Sequence, residues 1–147
     1  MHSEVKPLGS YESYKYVVIL SQYDGKLLLS RHRARDTWET QGGHIEPGET
    51  PLQAAKRELY EESGATEYAI EPLFDYAAGD IVGKTPGKWA AGVVFFARIA
   101  ALSPLPESEM AEVRSFDTLP ENVTYPLITP TLWAEARRRG YFPDRSS

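Results

Sequence analysis

The chain has 147 residues, 41% of them hydrophobic and 25% charged, a composition typical of a single globular domain. It contains no cysteine, which excludes disulfides, thiolate zinc sites and cysteine nucleophiles. Its net charge of −5 argues against nucleic acid as a partner. No apolar run approaches the roughly 20 residues of a membrane helix, and the first residues lack a signal core. We therefore expect a cytoplasmic protein without membrane contact, forming one domain over residues 1–147 with residues 1–12 loosely ordered.

The first part of the chain predicts three strands. β-branched and aromatic residues favour a buried strand over Tyr14–Ser21. A hairpin turn at Tyr23-Asp24-Gly25 leads to a partner strand over Lys26–Arg31. A short strand is predicted over Thr37–Gln41, and Gln41-Gly42-Gly43 then predicts a tight loop whose backbone can approach a ligand.

The following segment predicts a helix over Pro51–Ser63. Thr50 and Gln53 form a capping box, Pro51 suits the first helical position, and Gly64 suits a left-handed C-terminal cap. A modest packing stripe recurs at spacings of three and four: Leu52, Ala55, Leu59 and Ser63.

The second half predicts further strands and a final helix. The strands are predicted over Glu67–Tyr76, Trp89–Ile99 and Glu112–Phe116, with a loop over Gly79–Lys88 between the first two. A C-terminal helix is predicted to be capped at Thr129-Pro130 and to end in the arginines before Gly140. This order of elements suits a mixed sheet flanked by helices.

Three carboxylates lie on one side of the Pro51–Ser63 helix. Glu58, Glu61 and Glu62 follow at i, i+3 and i+4, so they share one narrow arc. Like charges this close destabilise a helix by a few tenths of a kcal/mol per pair. A bound Mg²⁺ or Mn²⁺ would offset that cost, since these cations prefer oxygen ligands. Arg57, four residues before Glu61, is placed to pair with it.

The segment Gly43–Ala65 resembles the signature of the Nudix hydrolase family. The matching residues are Gly43, Glu49, Arg57-Glu58, Leu59, Glu61-Glu62 and Gly64, with Ala65 where a larger aliphatic residue is usual. The resemblance implies an α/β fold, an α/β/α sandwich with a mixed sheet flanked by helices. Many members carry Pro-Gly-Gly where this chain has Gln41-Gly42-Gly43.

The resemblance also implies a reaction, because family members generally hydrolyse a pyrophosphate bond in a nucleoside diphosphate linked to another group. It makes Glu58, Glu62 and the carbonyl of Gly43 the metal ligands. Glu61 is implied as a ligand, a water-positioning group or the general base, and Arg57 as the residue that orients the carboxylates. The expected cofactor is Mg²⁺ or Mn²⁺.

A further acidic residue from a later loop often completes such sites. The candidates here are Glu107, Glu109 and Glu112, and we favour Glu109, with Glu112 second. A solvated acidic stretch is the alternative for each of them.

Four residues are candidates for substrate contact. Trp38 and Trp89 could stack on a nucleobase, and core packing is the alternative for both. His44 could touch a phosphate, although an ordinary surface histidine is the simpler interpretation. Asp75, at the end of a predicted strand, could line the substrate pocket.

Markers downstream of the signature bear on the substrate. Those typical of ADP-ribose and dinucleoside-polyphosphate enzymes are absent around Gly79–Val82. This favours a small nucleotide, a nucleoside triphosphate in its ordinary or oxidised form, as in nucleotide-sanitising members. The alternatives are hydrolysis of nucleotide sugars or dinucleotides, a non-catalytic nucleotide sensor, and a prenyl diphosphate isomerase, which the absence of cysteine disfavours. Since many family members are dimers, a homodimer is compatible with the resemblance.

Overall fold

The computed structural model describes residues 2–79 and 90–143 of the chain. Within these residues, strands form one mixed sheet and two helices pack on it. The strands are β1 (His2–Lys6), β2 (Tyr16–Tyr23), β3 (Lys26–His32), β4 (Gln41–His44), β5 (Ala65–Gly79), β6 (Ala90–Leu102) and β7 (Met110–Phe116), and the helices are α1 (Pro51–Ser63) and α2 (Thr129–Arg138).

The sheet has the order β1-β5-β6-β2-β3-β7, and β4 pairs with β2. β2 and β6 are parallel, whereas the other pairs are antiparallel. One face packs against α2 through Leu132 and Trp133, and the other packs against α1 through Ala55 and Leu59. The predicted α/β/α sandwich with a mixed sheet is therefore confirmed.

Helix α1 has the predicted bounds and caps. The Thr50 hydroxyl accepts the Gln53 N–H at 3.1 Å, and the Gln53 side chain accepts the Thr50 N–H at 2.9 Å. Gly64 adopts the left-handed conformation with φ +81°. The predicted packing stripe differs at one position, because Leu52 is 41% exposed and Ala54 is buried.

Two segments before α1 differ from the prediction. Residues 2–6 are ordered as β1, which pairs with β5, so the prediction of a loose N-terminal segment is wrong there. The predicted loop at Gln41-Gly42-Gly43 is instead part of β4. The backbones of β4 and β2 are so close here that a Cβ at Gly42 would lie 2.3 Å from the Val17 carbonyl oxygen.

The later elements have bounds that differ from the prediction. β5 and β7 begin earlier than predicted, at Ala65 and Met110. Thr129 is buried inside the first turn of α2, whose N-cap is Ile128 without a side-chain cap, so the predicted cap at Thr129 is wrong. The predicted loop beyond Gly79, and Trp89 with it, lie outside the described residues.

Candidate active site

The glycine pair of β4 lies directly against the acidic side of α1. The backbone N–H of Gly42 donates to Glu62 Oε1 at 2.7 Å. A Cβ at Gly43 would lie 2.7 Å from Glu58 Oε1, so a larger residue would displace that carboxylate from its present position. The pairing of β4 with β2 fixes these glycines, and the capped helix fixes the glutamates. The structure thus brings together Gly43, Glu58 and Glu62, the residues that the resemblance implies as metal ligands, and that role stays a prediction.

Arg57 joins the loop before α1 to the carboxylates of the helix. It donates through Nε and Nη2 to the two oxygens of Glu49, at 2.7 and 2.9 Å, and through Nη1 to Glu58 Oε1 at 2.8 Å. Its Nη2 also donates to the His44 carbonyl at 3.1 Å. The predicted partner Glu61 is more distant, at 3.5 Å. Arg57 is therefore placed to orient Glu58, with Glu49 as its main anchor.

These ion pairs perturb the protonation of both partners. The hydrogen bond from Arg57 lowers the pKa of Glu49 to about 2, with the Glu46 backbone N–H adding to the effect. Its bond to Glu49 in turn raises the pKa of Arg57, which remains charged. The Arg57–Glu49 pair is thus fixed in its ionised form at neutral pH.

The carboxylates of Glu58 and Glu62 are partly shielded from water. Burial raises the pKa of Glu62 to about 8 against the Gly42 N–H bond that lowers it, and repulsion from Glu58, Glu39 and Glu61 adds to the rise. Burial also raises the pKa of Glu58, although Arg57 opposes this. A divalent cation would relieve both the repulsion and the lost hydration, so this donor set suits Mg²⁺ or Mn²⁺.

The carboxylates do not yet converge as a complete ligand set. In residues 2–79 and 90–143, no group of three His, Asp or Glu side chains has the geometry to hold a metal ion. Glu58 is engaged with Arg57, and Glu61 is 47% exposed. A bound cation would therefore have to draw these side chains together.

Glu39 is a carboxylate at this site that the sequence analysis did not identify. Its side chain is 8% exposed and lies 3.3 Å from Arg35 Nη1. It lines the same cavity as Gly42 and Gly43, and its charge contributes to the raised pKa of Glu62. The sequence feature that could have identified Glu39 is an acidic residue within a predicted strand just before the glycine pair.

The acidic residues after β6 lie apart from this cluster. Glu109 is 82% exposed and lies 3.6 Å from His32 Nε2. Glu112 pairs with Arg31 at 3.2 Å and with Arg114 at 3.1 Å. Their observed partners support the alternative of a solvated acidic stretch, and Glu109 as a metal ligand remains a prediction.

A cavity of about 530 Å³ opens beside the glycine pair, on the sheet face that carries α2. Apolar and aromatic side chains form most of the wall that the structure describes, and Glu39 and His44 lie at the end next to the glycines. The larger aromatic and aliphatic residues of this wall include Tyr16, Tyr76, Tyr125, Ile128 and Leu132. This combination suits a ligand with a flat apolar part and a charged part.

Of the predicted substrate residues, His44 lines this cavity and Trp38 does not. His44 is exposed at its edge, with its ring 4.6 Å from that of Tyr16. Trp38 is only 5% exposed and packs edge-on against Phe116, with the Arg114 guanidinium 4.8 Å from its ring centre. Core packing, the alternative given for Trp38, therefore fits its environment better than nucleobase contact.

Asp75 does not line the cavity. It is fully buried, and its Oδ2 accepts the Ser10 N–H at 2.8 Å and the Tyr14 hydroxyl at 2.7 Å. Because side chains alternate along β5, the neighbouring Tyr76 faces the cavity and Asp75 faces away. The prediction for Asp75 is therefore wrong, and the fourth candidate, Trp89, lies outside the described residues.

Comparison with known proteins places this site in a family. The family model for the NUDIX domain matches residues 14–134. YtkD of Bacillus subtilis (strain 168), provisionally named an 8-oxo-dGTP diphosphatase, is 33% identical over 77% of this chain and 68% of its own. An RNA pyrophosphohydrolase of Francisella philomiragia is 36% identical, but the match covers 44% of this chain and 41% of that relative.

Solved structures support the fold independently. The Bacillus subtilis pyrophosphohydrolase BsRppH superposes with a TM-score of 0.77, at 24% identity, over 96% of this chain and 93% of its own. A UDP-X diphosphatase superposes with a TM-score of 0.65, at 25% identity, over 90% of this chain and 66% of its own. Neither helix in the described part of the chain has the length and apolar character to cross a membrane.

Proposed function

This chain belongs to the NUDIX domain family, and we propose that it is a metal-dependent hydrolase of a nucleoside triphosphate. It would cut a pyrophosphate bond and release the nucleoside monophosphate and pyrophosphate. Nudix hydrolases generally use divalent metal ions, and Mg²⁺ or Mn²⁺ would serve here.

The observation that carries the proposal is that Gly42, which lines the cavity, also donates its N–H to the carboxylate of Glu62. A partly buried carboxylate with a pKa raised to about 8 lies beside a glycine pair at the end of an aromatic-lined cavity. A nucleoside in that cavity would bring its phosphates toward the carboxylate cluster. Negative phosphates are compatible with that cluster only when cations lie between them.

Each residue of the cluster has a distinct part in this proposal. Glu58 and Glu62 would hold the cation, and Arg57 would keep Glu58 and Glu49 in place. Glu61 is the most exposed of the three glutamates and is held only loosely by Arg57, so it is free to take up a proton from the attacking water. When bound, the metal would neutralise charge on the phosphoryl group and lower the pKa of a coordinated water.

The names of the relatives favour a nucleotide as the substrate, but one is named for a free nucleotide and the other for RNA. YtkD, named for a damaged nucleoside triphosphate, matches along most of this chain. The match to the Francisella RNA pyrophosphohydrolase covers less than half of either chain. That difference, together with the net charge of −5, supports a small nucleotide over an RNA end.

A product analysis tests the proposal. The purified protein is incubated with Mg²⁺ and, separately, with dGTP, 8-oxo-dGTP, ATP, a nucleotide sugar, a dinucleoside polyphosphate and a 5′-triphosphorylated RNA. Products are identified by ³¹P NMR and anion-exchange chromatography. We expect monophosphate and pyrophosphate from at least one triphosphate, and no turnover when EDTA replaces Mg²⁺.

Two outcomes would replace the proposal with an alternative. Faster turnover of the triphosphorylated RNA than of every free nucleotide would make an RNA end the substrate. Binding of a nucleotide without turnover of any compound would favour a nucleotide sensor.

A further inference from the structure

A buried polar network connects three strands below the active site. Gln41, at the start of β4, is fully buried, as are Ser21 on β2 and Ser30 on β3. The Ser21 hydroxyl donates to Gln41 Oε1 at 2.6 Å. Gln41 Nε2 donates to the Leu28 carbonyl at 3.2 Å and to the Ser30 hydroxyl oxygen at 2.9 Å. The amide of Gln41 therefore has partners on both of its ends inside the core.

This network extends to the catalytic helix. The Ser30 hydroxyl donates to the main-chain carbonyl of Glu62 at 2.7 Å. Glu62 lies in the last turn of α1, where carbonyls lack a partner within the helix. The hydroxyl of Ser30 thus supplies the bond that the end of the helix needs.

The number of hydroxyl protons determines which group donates in each hydrogen bond of this network. A serine hydroxyl has one proton, and that of Ser30 is given to the Glu62 carbonyl. Ser30 can therefore only accept from Gln41, which requires the NH₂ end of the amide to face Ser30 and the oxygen to face Ser21. This orientation is the one observed.

The residue after Gln41 holds the other end of Glu62. The Gly42 N–H donates to Glu62 Oε1 at 2.7 Å. Two consecutive residues therefore hold Glu62. Gly42 binds its carboxylate directly, and Gln41 contacts its main-chain carbonyl through Ser30. A shift of the Gln41 side chain would move the end of α1 relative to the N–H that orients the carboxylate.

We propose that Gln41 is a positioning residue, which acts through Ser30 to hold Glu62 where it can bind a divalent cation. This inference rests on the proposed function, because it assigns Glu62 to metal binding. It predicts that breaking the bond between Ser30 and Glu62 weakens metal affinity, whereas breaking the bond between Ser21 and Gln41 has little effect.

The two serines provide a matched pair of variants. Ser21→Ala and Ser30→Ala each remove one fully buried hydroxyl that is bonded to Gln41, on neighbouring strands. Only Ser30→Ala also removes the bond to Glu62. Gln41→Leu removes the three bonds of Gln41 at similar side-chain volume, so Ser30 loses the donor that orients its hydroxyl, and Ser30→Thr retains the hydroxyl.

The measurement is Mn²⁺ affinity, from the electron paramagnetic resonance signal of free Mn²⁺ at a temperature where circular dichroism shows each variant folded. Ser30→Ala and Gln41→Leu should raise the Mn²⁺ Kd about tenfold or more, while Ser21→Ala and Ser30→Thr should stay within about twofold of wild type. Equal Kd values for the two alanine variants would overturn the inference, even if Gln41→Leu fails to fold.

Nucleotide turnover by the wild-type protein separates this inference from the proposed function. An inactive wild type that binds Mn²⁺ would refute the proposed hydrolysis, and the Mn²⁺ Kd values of Gln41→Leu and of the serine variants would still test the role of Gln41. A wild type that binds no Mn²⁺ would overturn the inference.

Discussion

Arg57 holds Glu49 by two parallel hydrogen bonds, from Nε to Oε2 at 2.7 Å and from Nη2 to Oε1 at 2.9 Å. This fork leaves Nη1 directed at Glu58, 2.8 Å from its Oε1. An ion pair between the loop and the helix thus fixes the orientation of a carboxylate that we assign to metal binding.

Replacing Arg57 should therefore weaken metal use without unfolding the protein. We expect Arg57→Gln to raise the Mg²⁺ concentration for half-maximal activity by about tenfold or more, the usual cost of removing a group that orients a ligand. Arg57→Lys should restore little of it, because lysine keeps the charge but lacks the planar fork. The exposed neighbour Lys56 supplies the control, and a Lys56→Gln variant with the same defect would contradict this role for Arg57.

Gly43→Ala tests the close approach of β4 to α1. The added Cβ would lie 2.7 Å from Glu58 Oε1, so the carboxylate would have to move away from its present position. We expect kcat to fall by about tenfold or more, with little change in melting temperature, because the displaced group is the side chain of a proposed metal ligand and not core backbone. Unchanged kcat in this variant would show that the observed position of Glu58 is not needed.

The stability of the metal-free protein should depend on pH through Glu62. Its pKa is about 8 in the folded chain, above the ordinary value of 4.5. Between these values the folded state binds more protons than the unfolded state, so stability falls as pH rises from about 5 to 8. In EDTA, the melting temperature of wild type should decrease across this range, and Glu62→Gln should flatten the decrease. An identical slope in wild type and Glu62→Gln would contradict the assignment.

Tyr125 and Tyr60 allow a matched test of the cavity. Their exposures are nearly equal, at 45% and 46%, but only Tyr125 lines the cavity. If a nucleobase stacks there, Tyr125→Ala should raise KM for the triphosphate by about tenfold, since such stacking contributes about 1–3 kcal/mol per base. Tyr60→Ala, on the outer side of α1, should leave KM unchanged. Equal KM values in the two variants would place the base elsewhere.

Local signals in the sequence were sufficient to predict α1. Each of these signals acts on the turn of the helix next to it: Thr50 and Pro51 on the first turn, and Gly64 on the last. The observed bounds agree with the prediction. The acidic arc followed from the same helical geometry, so the carboxylates Glu58 and Glu62 were identified before the fold was known.

Features that depend on distant pairing were not predictable in this way. β1 is held by its pairing with β5, about 70 residues later in the chain, and His2–Lys6 alone contains few apolar residues. Asp75 was assigned to the pocket from its place near a strand end, but alternation along β5 turns it to the opposite face from Tyr76.

The site beyond the signature also required the structure. Glu39 and Tyr125 meet at the cavity because the loop before α2 folds over the sheet, as the contact between Trp38 and Thr124 shows. The role proposed for Gln41 likewise depends on Ser30 of a neighbouring strand. No periodicity or motif links these residues in the sequence.

The central claim is that Glu62 binds the cation that hydrolysis requires, and the turnover of Glu62→Gln tests it most directly. The rate is measured with saturating Mg²⁺ on the best nucleoside triphosphate, beside Glu67→Gln, an exposed glutamate on β5. We predict that Glu62→Gln loses roughly 10²-fold or more in kcat while Glu67→Gln stays near wild type, given the several kcal/mol that metal stabilisation supplies. A Glu62→Gln variant with near wild-type kcat would contradict the account.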